Sequence, residues 1–539
     1  MRSVLRWLAV PLVLALVAVA CGDDGDGGDD AAGSGDDDTT QQVPSASEAG
    51  CDETVPGTEL NWGVFAPTDA LDPPFVSGAL VGGTELAAIY DVLMRFDHET
   101  NEFVPQLAES MESNDDFTEW TLNLREGITY SDGTTLTAQL VSDNMDRYLQ
   151  EGVRNTSGGF LTPITEKTVV DDTTLRMTLE APWVEFPFVF ADEPGMIVNL
   201  NAVGGDPDAF AAQPPEAAGV GPYVVERNAP GEEVLLRARD DYWGGPVCIE
   251  TVRFSWVPGS QPTYEAFTSG DFNVAFLRDP VTIAEARDAG DESFFVQQDA
   301  GAMVILNHAA GRPGEDPRVR EAAILALDDE LVNERAYQGE LATSKTLIQP
   351  GSRFFSDDVE ALPTNPERAA ELVEEAKADG WDGSIEILCA DNPPASDVAL
   401  AAQGLWEAAG MEVEVRTLAQ SDQIGEVVEG NFDAACWGFN ADAATGITTF
   451  LRNLDSVSSS NRMGYVSEEM DAALLDILAA DTEAAQLEAF AEMNRIFNED
   501  HVAVNYGAPE EGIVWSGDVR GIVPTVATIF LLDKASIEG

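Results

Sequence analysis

Basic residues are what this chain has least of. Lysine occurs only at Lys167, Lys345, Lys377 and Lys534, and histidine only at His98, His308 and His501. Against 28 Lys and Arg stand 97 Asp and Glu, a formal net charge of −69. Phosphate backbones are bound by positive charge, so nucleic acid is excluded as a partner. The three histidines lie far apart and none of the five cysteines has a CxxC neighbour, so no zinc-site spacing is present and neither metal nor cofactor is expected. Nucleophile-elbow, HExxH and phosphate-loop motifs are missing too, and with them the common signatures of hydrolases and NTPases. Carboxylates are plentiful, but glycosidase chemistry needs two of them held roughly 5 to 10 Å apart across a sugar. That leaves a glycosidase as a distant alternative to a protein that is not an enzyme. The only long apolar run, Leu8 to Ala20, is shorter than the roughly 20 residues of a membrane-spanning helix.

That run follows Arg2 and Arg6 and ends in small residues, the pattern of an export signal over residues 1–20. Cys21 comes directly after Ala18-Val19-Ala20 and resembles the lipobox cysteine of bacterial lipoproteins, whose thiol is acylated; ordinary secretory cleavage near Ala20 is the alternative. From Gly22 to about Gly50 almost nothing is apolar, so this stretch cannot bury enough surface to offset its ordering entropy. Residues 21–57 therefore read as a flexible acidic linker, and the chain as extracytoplasmic: lipid-anchored to the outer face of the cell membrane, or periplasmic. Export places Cys51, Cys248, Cys389 and Cys436 where disulfides persist, with three pairings possible. The remaining length, at 44% hydrophobic residues, suffices for two or more cores.

In the second half, helix and strand patterns alternate. Asn365 caps a helix opening at Pro366, with Leu372, Val373 and Ala376 on one face and Gly380 as its stop. Strand Ser384 to Cys389 follows, then a helix from Ser396 to Gly410, strand Glu412 to Leu418, a helix capped by Ser421 and ended by Gly430, and strand Phe432 to Phe439. This β-α-β-α-β unit predicts a parallel sheet covered by helices. Ligands of such sheets sit beyond the carboxyl ends of the strands, which makes Gly438-Phe439-Asn440-Ala441-Asp442 a candidate binding segment. Cys389 and Cys436 fall on the first and third strands, neighbours about 4.8 Å apart in the usual winding; they can pair if they face the same side, or pack as free thiols. The first half is richer in strands, with Glu119 to Leu124, Thr173 to Leu179, Tyr223 to Glu226 and Val234 to Arg239, and helices over Thr84 to Met94 and Thr137 to Leu149.

Several phrases occur in a recognisable order: Ile89-Tyr90-Asp91-Val92-Leu93, Val104-Pro105-Gln106-Leu107-Ala108-Glu109-Ser110, the run Leu122 to Gly133, Gly221-Pro222-Tyr223, Tyr242-Trp243-Gly244-Gly245, the run Asp316 to Ala322, and Gly438 to Asp442. Together they resemble the family 5 extracellular solute-binding proteins, the dipeptide-, oligopeptide-, nickel- and oligosaccharide-binding components of ABC importers. Two departures stand out: Ala138-Gln139-Leu140-Val141 replaces Ala-Glu-Asp-Val, and Gly438-Phe439 with Ala443-Ala444 replaces a Gly-Trp followed by an acidic-Pro pair.

The resemblance implies an α/β, two-lobed periplasmic-binding-protein-like fold of class II with an extra inserted subdomain. Residues 58–94, 221–300 and 507–539 would form the core of lobe I, 95–220 the insertion, and 301–506 lobe II, with two chain crossings as hinge. It implies a monomer that captures a small solute, most readily a short peptide, and delivers it to a membrane permease. Asp442 would pair with the ligand's α-ammonium, a charge-assisted bond strengthened in a desolvated cleft, and backbone groups of Gly438 and Asn440 would bond an extended ligand as an added strand. Phe439 would offer an apolar wall or be plain core, Val81 and Gly82 an opposing backbone from lobe I, and Asn307 a ligand contact or a satisfied turn. It also implies a Cys51–Cys248 bridge like that of dipeptide-binding relatives. Trp381, Trp437 and Trp515 keep an oligosaccharide open if they line the cleft.

Overall fold

The computed structural model describes residues 50–150 and 153–538; the signal segment, Cys21 and the expected linker up to residue 49 lie outside them, and the linker ends earlier than expected, since Cys51 is disulfide-bonded and Val55 opens a strand. Two large sheets carry the architecture. The first has seven strands, in the order Glu292–Gln297, Glu510–Trp515, Val274–Leu277, Val55–Val64, Ile249–Trp256, Glu233–Ala238, Tyr223–Ala229. Its middle is parallel, since Val55–Val64 runs alongside both Ile249–Trp256 and Val274–Leu277. The second has six strands, in the order Ala342–Thr343, Ala503–Ala508, Ala302–Leu306, Ala434–Trp437, Ser384–Ala390, Glu412–Leu418.

The second sheet is mixed, a correction to the all-parallel expectation. Ser384–Ala390 pairs in parallel with Glu412–Leu418 and with Ala434–Trp437, as the β-α-β-α-β unit requires. Ala302–Leu306 then adds antiparallel to Ala434–Trp437, and Ala503–Ala508 antiparallel to Ala302–Leu306, one on each of the two chain passages between the sheets. Every residue of Ala302–Leu306 is buried, which explains its unbroken apolar sequence: a strand covered on both faces has no side for polar residues. Glu412–Leu418 is an edge strand that sets Val413 and Val415 inward and leaves Glu412 and Glu414 in water, and such charges discourage pairing with another chain.

Asn365 accepts from the N–H of Arg368 and caps the helix Pro366–Ala378. The helix Ala138–Tyr148 is capped likewise by Thr137. Two boundaries differ from expectation. The helix after Leu418 begins at Gln420 behind Ala419, so Ser421 lies inside its first turn and is not the cap. The helix Gly83–Tyr90 stops at Asp91, whose φ of 60° breaks it, and Met94 already opens the strand Met94–Asp97.

A separate four-stranded antiparallel sheet, ordered Ala108–Ser113, Glu119–Leu124, Thr174–Leu179, Ile164–Val169, falls between the first and later strands of the seven-stranded sheet in sequence. Alternate residues Trp120, Leu122 and Leu124 are buried on its inner face, the period expected of a half-covered strand. The two large sheets are joined at two crossings that touch: the Gln298 N–H donates to the Pro509 carbonyl at 2.9 Å, and Ala302 pairs with Gly507. Disulfides join Cys51 to Cys248 and Cys389 to Cys436, with Cα separations of 5.6 and 4.9 Å. No helix among the described residues is long and apolar enough to cross a membrane.

Candidate functional site

Three parallel strands of the first sheet end on one edge, at Val64, Trp256 and Leu277; two of the second sheet end at Ala390 and Trp437. The residues just beyond these ends face one another across a cleft of about 900 Å³. From the first sheet come Val64, Phe65, Val257, Arg278 and the helix start at Ser260; from the second, Asn392, Ala395, Trp437, Gly438 and Asn440. Gly301 and Pro509, at the two crossings, line it as well. Open α/β sheets bind their ligands at the carboxyl ends of strands, and here two sheets present those ends to the same space.

The wall is amphipathic. Phe65, Tyr337, Trp437 and Tyr506 supply aromatic faces, and the charged residues are balanced, Arg278 and Arg335 against Asp279 and Asp397. That neutrality contrasts with the −69 of the whole chain. The Arg278 guanidinium stacks 4.8 Å from the Phe65 ring centre and reaches Glu511 at 3.7 Å. Burial pushes the Glu511 carboxyl up while Arg278 pulls it back. Gly438 must be glycine: an added Cβ would lie 2.3 Å from the Gly301 carbonyl oxygen at the crossing. Asn440 adopts a φ of 58°, a left-handed backbone that Asn tolerates better than most residues.

The anticipated site residues separate into two groups. Gly438 and Asn440 stand on the cleft wall. Phe439 turns away, 4% exposed and edge-on to Phe450, so it is core. Asp442 is not on the wall either; it is 4% exposed, and its Oδ1 accepts from the N–H groups of Ala444 and Thr445 and from the Thr445 hydroxyl at 2.7 to 3.0 Å. That carboxylate closes its own turn at the entry to the helix Gly446–Leu454. Asn307 donates to the carbonyls of Gly430 and Phe432 and accepts from the Ala309 N–H. Its antiparallel strand places it opposite Asp433, the end of the sheet away from Gly438, which corrects its placement at the ligand. Gly82 lines a smaller recess with Glu85 and Phe276, and Val81 lines neither space. Of the three tryptophans only Trp437 reaches the cleft; Trp381 donates to the Ser384 carbonyl and Trp515 to Glu292.

Residues not foreseen are Phe65, Arg278, Tyr337, Asn392 and Gln423. The strand-end rule that pointed to Gly438 would have reached Phe65, Arg278 and Asn392, had it been applied to the first sheet and to the strand ending at Ala390. Beside the crossing, Asp299 pairs with Ala441 through both backbone bonds. Burial pushes its carboxyl up to about 7, with Asp442 adding to the rise, against bonds from Ser352, Gln349 and Gln297. Among the described residues no group of three or more His, Cys, Asp or Glu is arranged to hold a metal ion.

Two α/β lobes meeting over a cleft at their strand ends define a binding protein of the periplasmic type. Within that class, residues 102–461 match the model of the bacterial extracellular solute-binding proteins, family 5, and the chain belongs to that family. It is 24% identical over 398 residues to the dipeptide-binding protein of Escherichia coli K12, covering 68% of this chain and 73% of that one. To heme-binding protein A of Haemophilus influenzae it is 23% identical over 473 residues, 81% and 84% of the two chains. The dipeptide-binding protein of Pseudoalteromonas sp. SM9913, solved with Met-Leu, superposes with a TM-score of 0.76 at 19% identity, over 89% of this chain and all of that one. The family is one of extracytoplasmic substrate-binding proteins that serve ABC importers, and solute binding for import is the function this chain shares.

Proposed function

We propose that the protein is the lipid-anchored substrate-binding component of an ABC importer, tethered through Cys21 and the linker that precedes Cys51, which captures a short peptide between its lobes and passes it to the membrane permease. The observation that carries this reading is the cleft of about 900 Å³ lined from both sheets at their strand ends, within the 300 to 1,000 Å³ or so typical of small-molecule sites. Backbone at Gly438 and Asn440 supplies contacts independent of ligand side chain, as strand addition requires. A ligand bridging the lobes favours the closed form by its greater affinity for it, and release to the permease reverses the hinge. The protein acts as a monomer and alters no bond of its ligand.

A second reading, an oligosaccharide or other non-peptide solute, draws on the aromatic faces of Phe65, Tyr337 and Trp437 along the wall, since such faces stack on sugar rings. Native mass spectrometry of protein purified without denaturant separates the two. One retained equivalent of peptide mass supports the first reading; a retained glycan, or a peptide returned cleaved after incubation, contradicts it.

A further inference from the structure

A small recess opens beside the cleft, sharing Val64, Phe65 and Phe276 with it and otherwise lined by Trp62, Gly82, Glu85 and Phe530 among others. Glu85 stands between this recess and a second one lined by Thr68, Glu232 and Glu233, and its environment is unusual. Glu85 sits in the first turn of the helix Gly83–Tyr90 and is 3% exposed. Its Oε1 accepts from the Thr68 hydroxyl at 2.7 Å, and that bond and one from its own backbone N–H are what offset its burial. A buried carboxylate in native proteins is normally paired. Glu85 has instead an aromatic chamber, with Trp62, Phe65, Phe276 and Phe530 around the opening. Aromatic faces attract cations, and the helix start supplies a partial positive charge that steadies Glu85 without a full counter-cation.

We propose that Glu85 anchors a subsite for a primary ammonium group carried by the ligand of the cleft. This rests on the solute-binding reading above and narrows it to solutes with an amine, whether a lysine-type side chain or a peptide's N-terminus. Size selects the ammonium: the recess leaves about 20 Å³ for the centre of a water-sized group, room for one such group, whereas a planar guanidinium carries three nitrogens. The excess of carboxylates over the whole surface draws cationic solutes toward the protein. Burial pushes the Glu85 carboxyl up, and an ammonium beside it would favour the ionised form.

The test is calorimetric titration of the mature protein with acetyl-Ala-Lys-Ala, Ala-norleucine-Ala and acetyl-Ala-norleucine-Ala. At least one ammonium-bearing probe should bind tenfold or more tighter than the acetylated norleucine peptide, and which one does so tells side-chain from N-terminal ammonium. Glu85→Gln, which keeps an acceptor for Thr68, should bring that probe to within about twofold of the acetylated norleucine peptide while leaving the latter's affinity unchanged. No gain from either ammonium, or a gain that survives Glu85→Gln, overturns the subsite. Should Glu85→Gln not fold, wild-type protein decides across a pH series from about 4 to 7: the ammonium probe releases a proton at some pH in the series where acetyl-Ala-norleucine-Ala does not, read as a buffer-dependent heat, and equal release throughout overturns the proposal. If no peptide binds, the peptide reading fails by itself, and n-butylammonium then tests the recess: binding to wild type that Glu85→Gln abolishes supports it, and no binding overturns it.

Discussion

Arg353 bonds both carboxylate oxygens of Glu185, at 2.9 and 3.0 Å, and so ties the segment following the four-stranded sheet to the body of the six-stranded one. Gln486 donates to the same carboxylate, and the Val184 N–H donates to the Leu478 carbonyl. The guanidinium also stacks 4.3 Å from the Phe354 ring centre and donates to the Ala443 carbonyl. Both side chains are largely buried, which makes the bridge stronger than an exposed pair. Glu185→Ala should therefore loosen the contact between the lobes and destabilise the protein by about 1 to 3 kcal/mol, the cost of leaving Arg353 short of its partner. Small-angle scattering should show a larger radius of gyration without ligand; an unchanged radius with unchanged melting would contradict the role.

Asp299 predicts a pH dependence at the crossing. Its carboxyl is raised from 3.8 to about 7, chiefly by burial, so the folded protein holds a proton that the unfolded chain sheds. Stability from this group is fully present in acid and is lost as pH rises between about 4 and 7, at most about 1.4 kcal/mol per pH unit. Asp91, pushed to about 7 by burial and by Asp533, acts in the same direction. Asp299→Asn keeps the acceptor for the Gln349 N–H and should flatten the profile, leaving the variant more stable than wild type at pH 7.5. Urea unfolding at pH 5 and 7.5 reads the difference.

The disulfides should contribute unequally. Cys51–Cys248 closes a loop of separation 197, Cys389–Cys436 one of 47, and loop-closure entropy rises with the logarithm of length. Removing either should cost about 2 to 4 kcal/mol, the longer loop more. Paired Cys→Ser variants compared by chemical denaturation would show the order.

The cleft wall makes its own prediction. Gly438→Ala drives a methyl against the Gly301 carbonyl and should weaken ligand binding at least tenfold by displacing the crossing. Trp437→Ala removes an aromatic face and should cost about 1 to 3 kcal/mol of affinity while leaving the fold intact. Calorimetry with the retained solute, alongside circular dichroism, checks both.

Much of the fold was legible because its motifs do local structural jobs. Tyr242 and Trp243 both donate to Asp91, so two of the phrases that suggested the family meet in one buried hydrogen-bond cluster. Asp316 caps the helix Pro317–Ala326 and pairs with Arg318, which accounts for a third. Helix caps, glycine stops and apolar periods gave the order and type of each element of the β-α-β-α-β unit, although Ser421 is not a cap and the strand expected over Phe432 to Phe439 is only Ala434–Trp437. The antiparallel strands of that sheet were not visible, since Ala302–Leu306 and Ala503–Ala508 join it from opposite ends of a separation of two hundred residues. The site was only half legible for a related reason. A strand's end locates backbone, as at Gly438 and Asn440, whereas Asp442, Phe439 and Asn307 take their roles from neighbours that only the folded chain supplies.

The central claim is that a solute occupies the space between the two sets of strand ends. A crystal structure of protein purified without denaturant, with its retained solute, tests it most directly. The account predicts ligand density between Phe65 of the first sheet and Trp437 and Gly438 of the second. Density for the solute elsewhere, or a cleft filled in the crystal by the protein's own side chains, would contradict it.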